Sequence, residues 1–417
     1  MVDHFIEMIA GSLALKEPWY VSSAKFDPDL KRMDIYVAVR DDAVFTCPKC
    51  GGEAVRYGYE PEERTWRHGD CLFFPSYVHC RRPRVKCRSC GVEQVSAPFE
   101  RKNSRFTTYF EGFAMMLMAD MPRAKAARIL HCDEKSMAGI VSYWVNLAND
   151  KRSLADLAKL ALDETSFRRG HDYVTLMIDA ERRCVVDVEE GRDKDAVAKF
   201  CEKLRAKGGD PANITAVTSD MSKSFCPAIE ENFKNAKHIV DKFHVKQVVT
   251  TAMDDVRKEE QKHVEDKKDL FQNRKLFMIP RSRLTDEQSA NLAALSKRYP
   301  KTGKACQIVA ALDDFYASRD EKEAEGAFKS LYSWMRRCRL EPMKEAALTL
   351  MRHKAKVLAY FTDRLTNAIC EGINSMVQAA KRKARGYRTL EGYIAMIYLI
   401  AGKLELEAPD PFRCRAL

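Results

Sequence analysis

The chain has 417 residues, of which 46% are apolar and 31% charged, a globular composition that excludes a disordered protein. At roughly 100–200 residues per domain, this length predicts two to four domains. The 71 Lys and Arg residues exceed the 60 Asp and Glu residues and leave a formal charge of +11, which suits a nucleic-acid partner but also fits an ordinary basic protein.

The sequence carries no sign of export or of membrane insertion. No apolar run reaches the roughly 20 residues of a transmembrane helix, and residues 1–20 lack a signal-peptide pattern. The 14 cysteines would indicate a disulfide scaffold only in a short secreted chain. We therefore expect no membrane partner and a location in a reducing cytoplasm.

Residues 1–40 mix short apolar runs with turn signals, and residues 35–39 follow the pattern of a strand. No function can be assigned to this segment from the sequence. The next segment, residues 41–100, contains two Cys-x-x-Cys pairs, Cys47 with Cys50 and Cys87 with Cys90, each followed by glycine. This spacing lets both thiolates of a turn face one ion, so the four cysteines predict a closed structural Zn²⁺ site.

Three other residues between the pairs could replace one zinc ligand, although they lack the two-residue spacing. They are Cys71, His79 and Cys80. Basic residues crowd the second pair and predict contacts with phosphates. They are Arg81, Arg82, Arg84, Lys86 and Arg88.

Residues 105–149 are predicted to form three helices. Within them, residues 124–130 form a short helix, residues 131–133 a turn with Asp133 as the N-cap, and residues 134–147 a second helix. This spacing is typical of a helix-turn-helix whose second helix enters a major groove. Any helical hairpin gives a similar pattern, so the motif alone is a weak signal.

Residues 159–241 change to the order β-β-β-α-β-α-β, which matches an RNase H-like layout, a mixed sheet with helices on its faces. Residues 245–360 are almost wholly helical by pattern, and residues 366–405 form two more helices split at Gly386. The fold class predicted is therefore α/β, mixed and multidomain.

Three acids stand where nuclease chemistry needs them: Asp163 and Asp220 each end an apolar β run, and Glu371 lies near the start of a helix. Two Mg²⁺ (or Mn²⁺) ions about 4 Å apart can hold both the attacking and the leaving oxygen of a phosphodiester. Carboxylates are the ligands such ions prefer. We expect Asp163 to bridge both ions, and Asp220 and Glu371 each to hold one.

Asp241 ends a further short strand beside the predicted site and could be a ligand or support one. His244, three residues later, could position water or substrate, although a role in the core or as a helix cap is equally compatible with the sequence. Asn374, Gln378 and Lys381 fall near the face of Glu371 at helical spacing. The following basic segment predicts DNA contacts. Its basic residues are Lys381, Arg382, Lys383, Arg385 and Arg388.

Taken in order, these blocks resemble the ISL3 family of insertion-sequence transposases of the DDE class. The resemblance rests on the paired cysteines and on several longer motifs. These are Arg64-Thr-Trp-Arg-His68, Arg82-Pro-Arg-Val-Lys-Cys87, Leu162-Asp-Glu-Thr-Ser-Phe-Arg168 with Gly170-His171, Gly191-Arg-Asp193, Ser219-Asp-Met-Ser222, Val240-Asp-Lys-Phe-His-Val245, Thr366-Asn-Ala-Ile-Cys-Glu-Gly-Ile-Asn374 and Lys381-Arg-Lys-Ala-Arg-Gly-Tyr-Arg388.

The resemblance implies an RNase H-like core that cleaves and transfers strands of double-stranded DNA at terminal inverted repeats and joins them to target DNA. It also implies a homodimer or higher oligomer on DNA, in the nucleoid of a prokaryote. It supports Asp163, Asp220 and Glu371 as the catalytic acids and leaves the choice between Asp220 and Asp241 less secure. The domains expected are a zinc ribbon in 1–100, a helix-turn-helix in 101–152, the catalytic core in 153–245 and 361–417, and a helical insertion in 246–360.

Two other functions fit part of the sequence. A transposase-derived DNA-binding protein without catalysis would use only the zinc ribbon and the helix-turn-helix, but all three acids are present. A structure-specific nuclease on the same fold would leave the ribbon and the helical insertion without a purpose. Cleavage and strand-transfer products from transposon-end DNA distinguish the three.

Overall fold

The computed structural model describes residues 2–168, 172–191, 194–222, 225–365 and 368–408. The chain divides into two compact units. The first contains the described residues of 1–151, 379–400 and 404–417, and the second contains those of 152–378 and 401–403. Among the described residues, no helix is both long and apolar enough to cross a membrane.

The first unit combines short strands with helices on either side of them in the chain. Its elements are α1 (Val2–Ser12), β1 (Trp19–Asp27), β2 (Arg32–Val39), β3 (Val44–Thr46), β4 (Glu53–Tyr59), β5 (Arg64–Cys71), β6 (Phe74–Cys80), β7 (Pro83–Cys87), β8 (Gly91–Gln94), α2 (Thr108–Asp120), α3 (Arg123–Ile129) and α4 (Glu134–Lys151). The strand predicted at 35–39 is the end of β2, and the three helices predicted at 105–149 are α2, α3 and α4.

These strands form two four-stranded sheets, in the orders β1-β2-β6-β5 and β3-β4-β7-β8. In the first sheet, β2 runs parallel to β6, with Ile35 opposite Val78. Ile35, Trp66 and Val78 are each at most 2% exposed and belong to one core. The segment between the two cysteine pairs therefore contributes a hairpin to a sheet that residues 19–39 complete. The sequence did not reveal this long-range pairing.

A buried carboxylate holds α2 against α4. Glu111 of α2 is fully buried and accepts hydrogen bonds from the Arg101 guanidinium (2.7 Å) and from Nε1 of Trp144 in α4 (2.7 Å). Such a charge needs partners, because an unpaired buried carboxylate is strongly destabilising. The carboxylate of Asp133 accepts a hydrogen bond from the backbone N–H of Ser136 at 2.7 Å. Asp133 is therefore the N-cap of α4, as the sequence predicted.

A buried histidine makes the stability of this unit depend on pH. His68 lies between the hydroxyls of Ser12 (3.1 Å) and Thr107 (2.9 Å), and burial, followed by the charge of Arg67, lowers its pKa to about 4. Folding therefore excludes the protonated form. We expect full stability above about pH 6.5, where unfolded histidine is also neutral, and a loss approaching on the order of 3 kcal/mol as the pH falls towards 4.

The measurement is the free energy of unfolding as a function of pH, followed by tryptophan fluorescence, to which the buried Trp66 contributes. In the His68→Gln variant, which keeps hydrogen-bonding groups but does not titrate, the dependence between pH 6.5 and 4 should shrink. An unchanged pH dependence in that variant would show that other groups govern acid unfolding.

The second unit begins with a sheet and continues into a long series of helices. Its elements are β9 (Lys159–Ser166), β10 (Tyr173–Asp179), β11 (Cys184–Glu190), α5 (Lys194–Ala206), β12 (Ala216–Ser219), α6 (Phe225–Asn232), β13 (Lys237–Val240), α7 (Lys242–Gln261), α8 (Lys267–Gln272), α9 (Arg274–Met278), α10 (Asp286–Arg298), α11 (Pro300–Tyr316), α12 (Glu321–Arg337), α13 (Glu341–Arg352), α14 (Lys354–Leu358) and α15 (Tyr360–Asp363). Helices α16 (Ala368–Lys383) and α17 (Leu390–Ala401) each contribute residues to both units.

The five strands of this unit form one mixed sheet in the order β11-β10-β9-β12-β13. Strand β10 runs antiparallel to both β9 and β11, whereas β9, β12 and β13 run parallel to one another. One face carries the core formed with α5 and α6, in which Leu162, Phe200 and Val217 are at most 1% exposed. The predicted β-β-β-α-β-α-β order is confirmed, and the α/β class with it.

The helical segment predicted at 245–360 comprises α7 to α15. These helices pack on a common core that includes Val249, Phe315, Phe328 and Met343, each at most 2% exposed. In α7 the buried residues recur at helical spacing, with Val245, Val249 and Val256 among them, so one stripe of the helix is covered. Burial of this stripe, more than the helix propensity of its charged residues, holds α7 in place.

Candidate metal and nucleic-acid sites

The two cysteine pairs meet at one end of the sheet β3-β4-β7-β8. Cys47 and Cys50 lie in the turn between β3 and β4, while Cys87 ends β7 and Cys90 lies in the turn to β8. The glycine after each pair has a positive φ, 71° at Gly51 and 81° at Gly91. A side chain would be strained in this conformation, which explains the glycine at both positions.

The four sulfur atoms are close enough to share one ion. The Sγ atoms of Cys47, Cys50, Cys87 and Cys90 all lie within 4.8 Å of one another, and Sγ of Cys50 is 3.5 Å from that of Cys87. A tetrahedral zinc with Zn–S bonds of about 2.3 Å separates its sulfurs by roughly 3.8 Å. The residues present therefore fit structural zinc, and four thiolates leave no open position for catalysis.

Backbone N–H groups in the second turn favour the thiolate that zinc requires. Those of Ser89 and Cys90 are the main cause that lowers the pKa of Cys87 to about 7. The alternative ligands lie in the other sheet of this unit, on β5 and β6. There Nε2 of His79 is 2.7 Å from Asp34, and Cys80 is buried in the core. Cys71, His79 and Cys80 are thus not members of the compact group.

The basic residues near the second pair fall into two groups. Arg82 lies between the carboxylates of Glu60 (2.9 Å) and Glu100 (3.1 Å), and Arg81 donates to the backbone carbonyl of Glu60 (3.1 Å). Both guanidiniums are therefore used within the protein. Other basic side chains in this segment are exposed to solvent. They are Arg84, Lys86 and Arg88.

Parallel register aligns three carboxylates at one end of the sheet in the second unit. Thr218 of β12 is opposite Ala161 on β9 and Ile239 on β13. When both registers are continued by two residues, Asp220 falls beside Asp163 and Asp241. The backbone N–H of Asp241 donates to the carbonyl of Ser219 at 3.0 Å, so the pairing with β13 does continue. Neighbouring strands are about 4.8 Å apart, which makes these acids neighbours.

Burial and mutual charge characterise this group. The pKa of Asp163 is raised by burial and by the charge of Asp220, against the opposing effect of the Glu164 backbone N–H, which donates to Asp163 at 2.8 Å. Nδ1 of His244 is 3.2 Å from Asp241, and this hydrogen bond, with the charges of Asp241, Asp220 and Asp163, raises the pKa of the imidazole. The acids form a negative site that favours a cation.

Helix α16 approaches Asp163 through Asn374 and not directly through Glu371. Nδ2 of Asn374 is 2.5 Å from Oδ2 of Asp163, and Nε2 of Gln378 is 2.6 Å from the hydroxyl of Thr165 on the same strand. Glu371 lies one turn before Asn374 and is exposed. Within the described ranges, the four cysteines are the one group of three or more His, Cys, Asp or Glu side chains whose ligand atoms all lie within 4.8 Å of one another.

The basic segment after Glu371 lies at the end of α16. The backbone N–H of Gly386, whose φ is 93°, donates to the carbonyl of Lys381 and ends the helix, so Arg388 lies beyond it. Four of the five predicted DNA-contacting residues of the segment are exposed. They are Arg382, Lys383, Arg385 and Arg388. Gly170, His171, Arg192, Asp193, Thr366 and Asn367, which belong to motifs quoted above, lie outside the described residues.

Comparisons with known proteins agree on one family. Residues 160–397 match the ISL3 model of DDE transposases, and residues 43–90 match a second model described as the zinc-finger of transposase IS204/IS1001/IS1096/IS1165. Over 398 residues the chain is 24% identical to the transposase for insertion sequence element IS1557 of Mycobacterium tuberculosis. This alignment covers 89% of each of the two chains. Over 370 residues it is 22% identical to the transposase for insertion sequence element IS1001 of Bordetella parapertussis, covering 85% of this chain and 88% of that one.

The first of these models covers more than half of the chain, from the strand that carries Asp163 to the last helix. The second covers all four cysteines of the compact group. The chain therefore belongs to the ISL3 family of DDE transposases and is an insertion-sequence transposase, an enzyme that acts on DNA and carries a structural zinc ribbon.

Proposed function

We propose that this transposase cuts and joins DNA at the terminal inverted repeats of its element, with Asp163, Asp220 and Glu371 as the catalytic acids. The observation that carries the proposal is the parallel register that makes Asp163 and Asp220 neighbours at the end of one sheet. The antiparallel β9-β10-β11 meander followed by the parallel strands β12 and β13 supports an RNase H-like core.

The donor set fits a pair of Mg²⁺ or Mn²⁺ ions. Its members are carboxylates, and burial together with the charge of Asp220 raises the pKa of Asp163, so a positive partner would stabilise the ionised form. Two such ions, when bound, would stabilise the charge that develops on the attacking and leaving oxygens. Asp163 would bridge them, and Asp220 and Glu371 would each hold one.

In that role Asp220 and Glu371 need not share one coordination sphere, because two catalytic ions lie about 4 Å apart. Glu371 is one helical turn, roughly 5 Å, from Asn374, which contacts Asp163 directly. Asn374 thereby orients Asp163 and fixes the position of α16 against β9. Glu371 is exposed beside this contact and would hold one of the divalent ions together with Asp163.

The choice between Asp220 and Asp241 has a sharp test. The pairing of β12 with β9, continued by two residues, sets Asp220 beside Asp163. Asp241 follows the next strand and is hydrogen-bonded to His244. We expect Asp220→Asn to abolish cleavage and Asp241→Asn to reduce it by roughly 10–100-fold, as for a group that orients a catalytic one. Single-turnover cleavage rates at several Mn²⁺ concentrations provide the measurement. A larger loss in Asp241→Asn than in Asp220→Asn would reverse the assignment.

We further propose that the zinc ribbon and the pair α3–α4, as a helix-turn-helix, bind the inverted repeats, and that a dimer or higher oligomer brings two ends together. The exposed basic residues of the ribbon, the N-cap at Asp133 and the spacing of α3 and α4 support this.

The test of the whole proposal is incubation of the full chain with labelled transposon-end duplex in Mg²⁺, in Mn²⁺ or with a chelator. We expect cuts at the repeat boundary and joined products that need the divalent ion. Mobility shift without any cut would mean a DNA-binding protein alone. Cuts at DNA junctions without joined products would mean a structure-specific nuclease.

A further inference from the structure

One face of the sheet β3-β4-β7-β8 is open to solvent and carries apolar side chains. Val44, Val55, Lys86 and Val92 pair in register across all four strands and form a single row. The three valines are 57%, 58% and 38% exposed. The opposite face carries Phe45, Ala54, Val85 and other core residues. The row is thus an apolar surface that the described part of this unit leaves uncovered.

The same face carries basic side chains without internal partners. Arg84 and Lys86 are the two exposed residues of β7 and alternate with its buried residues. Arg88 is exposed in the turn that follows. Within the part of the chain that the structure describes, these three form no ion pair. Arg82, by contrast, is held by Glu60 and Glu100. Glu53, two residues before Val55 on β4, is exposed on the same face, but the three cations outnumber it. The open face therefore keeps a net positive charge.

An aromatic side chain borders the row. The register between β4 and β7 shifts between Arg56 and Gly58, so the intervening Tyr57 is a bulge residue, and it is 60% exposed. Bulges re-aim side chains and recur beside functional surfaces. A large exposed aromatic group next to unpaired cations is typical of a surface that contacts nucleic acid.

We propose that this open face is the surface by which the zinc ribbon binds duplex DNA, with Arg84 and Lys86 on successive phosphates of one strand and Tyr57 and the valines against the sugars. This inference rests on the proposed binding of transposon ends and identifies the surface used. Alternate residues of a strand are about 6.7 Å apart, which is similar to the spacing of successive phosphates. The uncompensated positive charge favours DNA over a second copy of this basic chain.

The experiment measures the affinity of the full chain for end DNA and for scrambled duplex over a range of salt concentrations. The plot of log K against log salt has a negative slope, and each lost phosphate contact makes this slope shallower by about 0.9. We expect Arg84→Gln/Lys86→Gln to make the slope shallower by about 2 on both DNAs. Each single variant should make it shallower by about 1. We expect Tyr57→Ser to weaken binding at every salt concentration with an unchanged slope, because it removes an uncharged contact.

The matched control is Lys25→Gln/Lys31→Gln, which removes the same charge from exposed residues of β1 and of the turn between β1 and β2. It should keep the parent slope, and bound zinc is measured in every variant to show that the ribbon is folded. A zinc-loaded Arg84→Gln/Lys86→Gln variant with the parent slope would overturn this inference and leave the proposed function standing. Failure of the parent to bind or cut end DNA would overturn the proposed function instead.

Discussion

Replacing Asp163 by Asn is expected to lower the rate of DNA cleavage by roughly 10³-fold or more and to leave end binding nearly unchanged. Asp163 lies between the strand that leads to Asp220 and helix α16, so its charge is central to the binding of the two proposed metal ions. Asn keeps the size of the side chain and one oxygen that can accept from Asn374. The measurements are single-turnover cleavage of labelled end DNA and affinity for the same DNA without a divalent ion.

The neighbouring acid on the same strand provides the control. Glu164 precedes Thr165 on β9, and its side chain leaves the opposite face of the sheet from that of Asp163 because successive side chains alternate. Glu164→Gln should therefore retain cleavage, whereas Glu371→Gln should lose it as Asp163→Asn does. Parallel losses of binding and cleavage in Asp163→Asn would identify the carboxylate as a structural group and not a catalytic one.

Replacing Cys87 by Ser is expected to remove zinc and to weaken DNA binding severely. The four sulfurs surround one point, and structural zinc sites contribute on the order of 10 kcal/mol to the folding of the segment that they close. Three remaining thiolates hold the ion less tightly, and β3, β4, β7 and β8 lose the link that fixes their turns. Metal content by elemental analysis and affinity for end DNA are the two measurements.

Cys71→Ser is the matched control, because Cys71 lies at the end of β5 in the other sheet, outside the compact group. It should retain one zinc per chain and the parent affinity. Full metal content in Cys87→Ser would refute the assignment of four cysteine ligands. Loss of zinc with unchanged DNA binding would instead separate the ion from DNA recognition.

Several features of this protein follow from local sequence. Two-residue spacing with a trailing glycine brings two thiols together in a turn, so Cys47, Cys50, Cys87 and Cys90 are predicted as zinc ligands from local sequence. The fold was needed to separate Cys71, His79 and Cys80 from them. Strand and helix periodicity predicted the order of elements in residues 159–241 and the cap at Asp133, because both depend on residues a few positions apart.

Other features depend on contacts between distant residues, which the sequence does not reveal. The sheet that joins residues 19–39 to the segment between the cysteine pairs forms through the parallel pairing of β2 with β6. Arg82, just before β7, is bound to Glu60 and Glu100, whereas Arg84 on β7 is exposed. The difference depends on where the folded chain places those two carboxylates. Composition gives both residues the same charge, and only the fold distinguishes their roles.

By itself the sequence indicated the family, the four cysteines most suited to zinc and the acids to be considered, since each depends on residue types and short spacings. The tertiary structure alone decided that the strands leading to Asp163, Asp220 and Asp241 are adjacent and parallel, and that α16 contacts Asp163 through Asn374. Register between strands more than 50 residues apart in the chain (57 for Thr218 and Ala161) is set by burial of the whole sheet, to which every strand contributes at once.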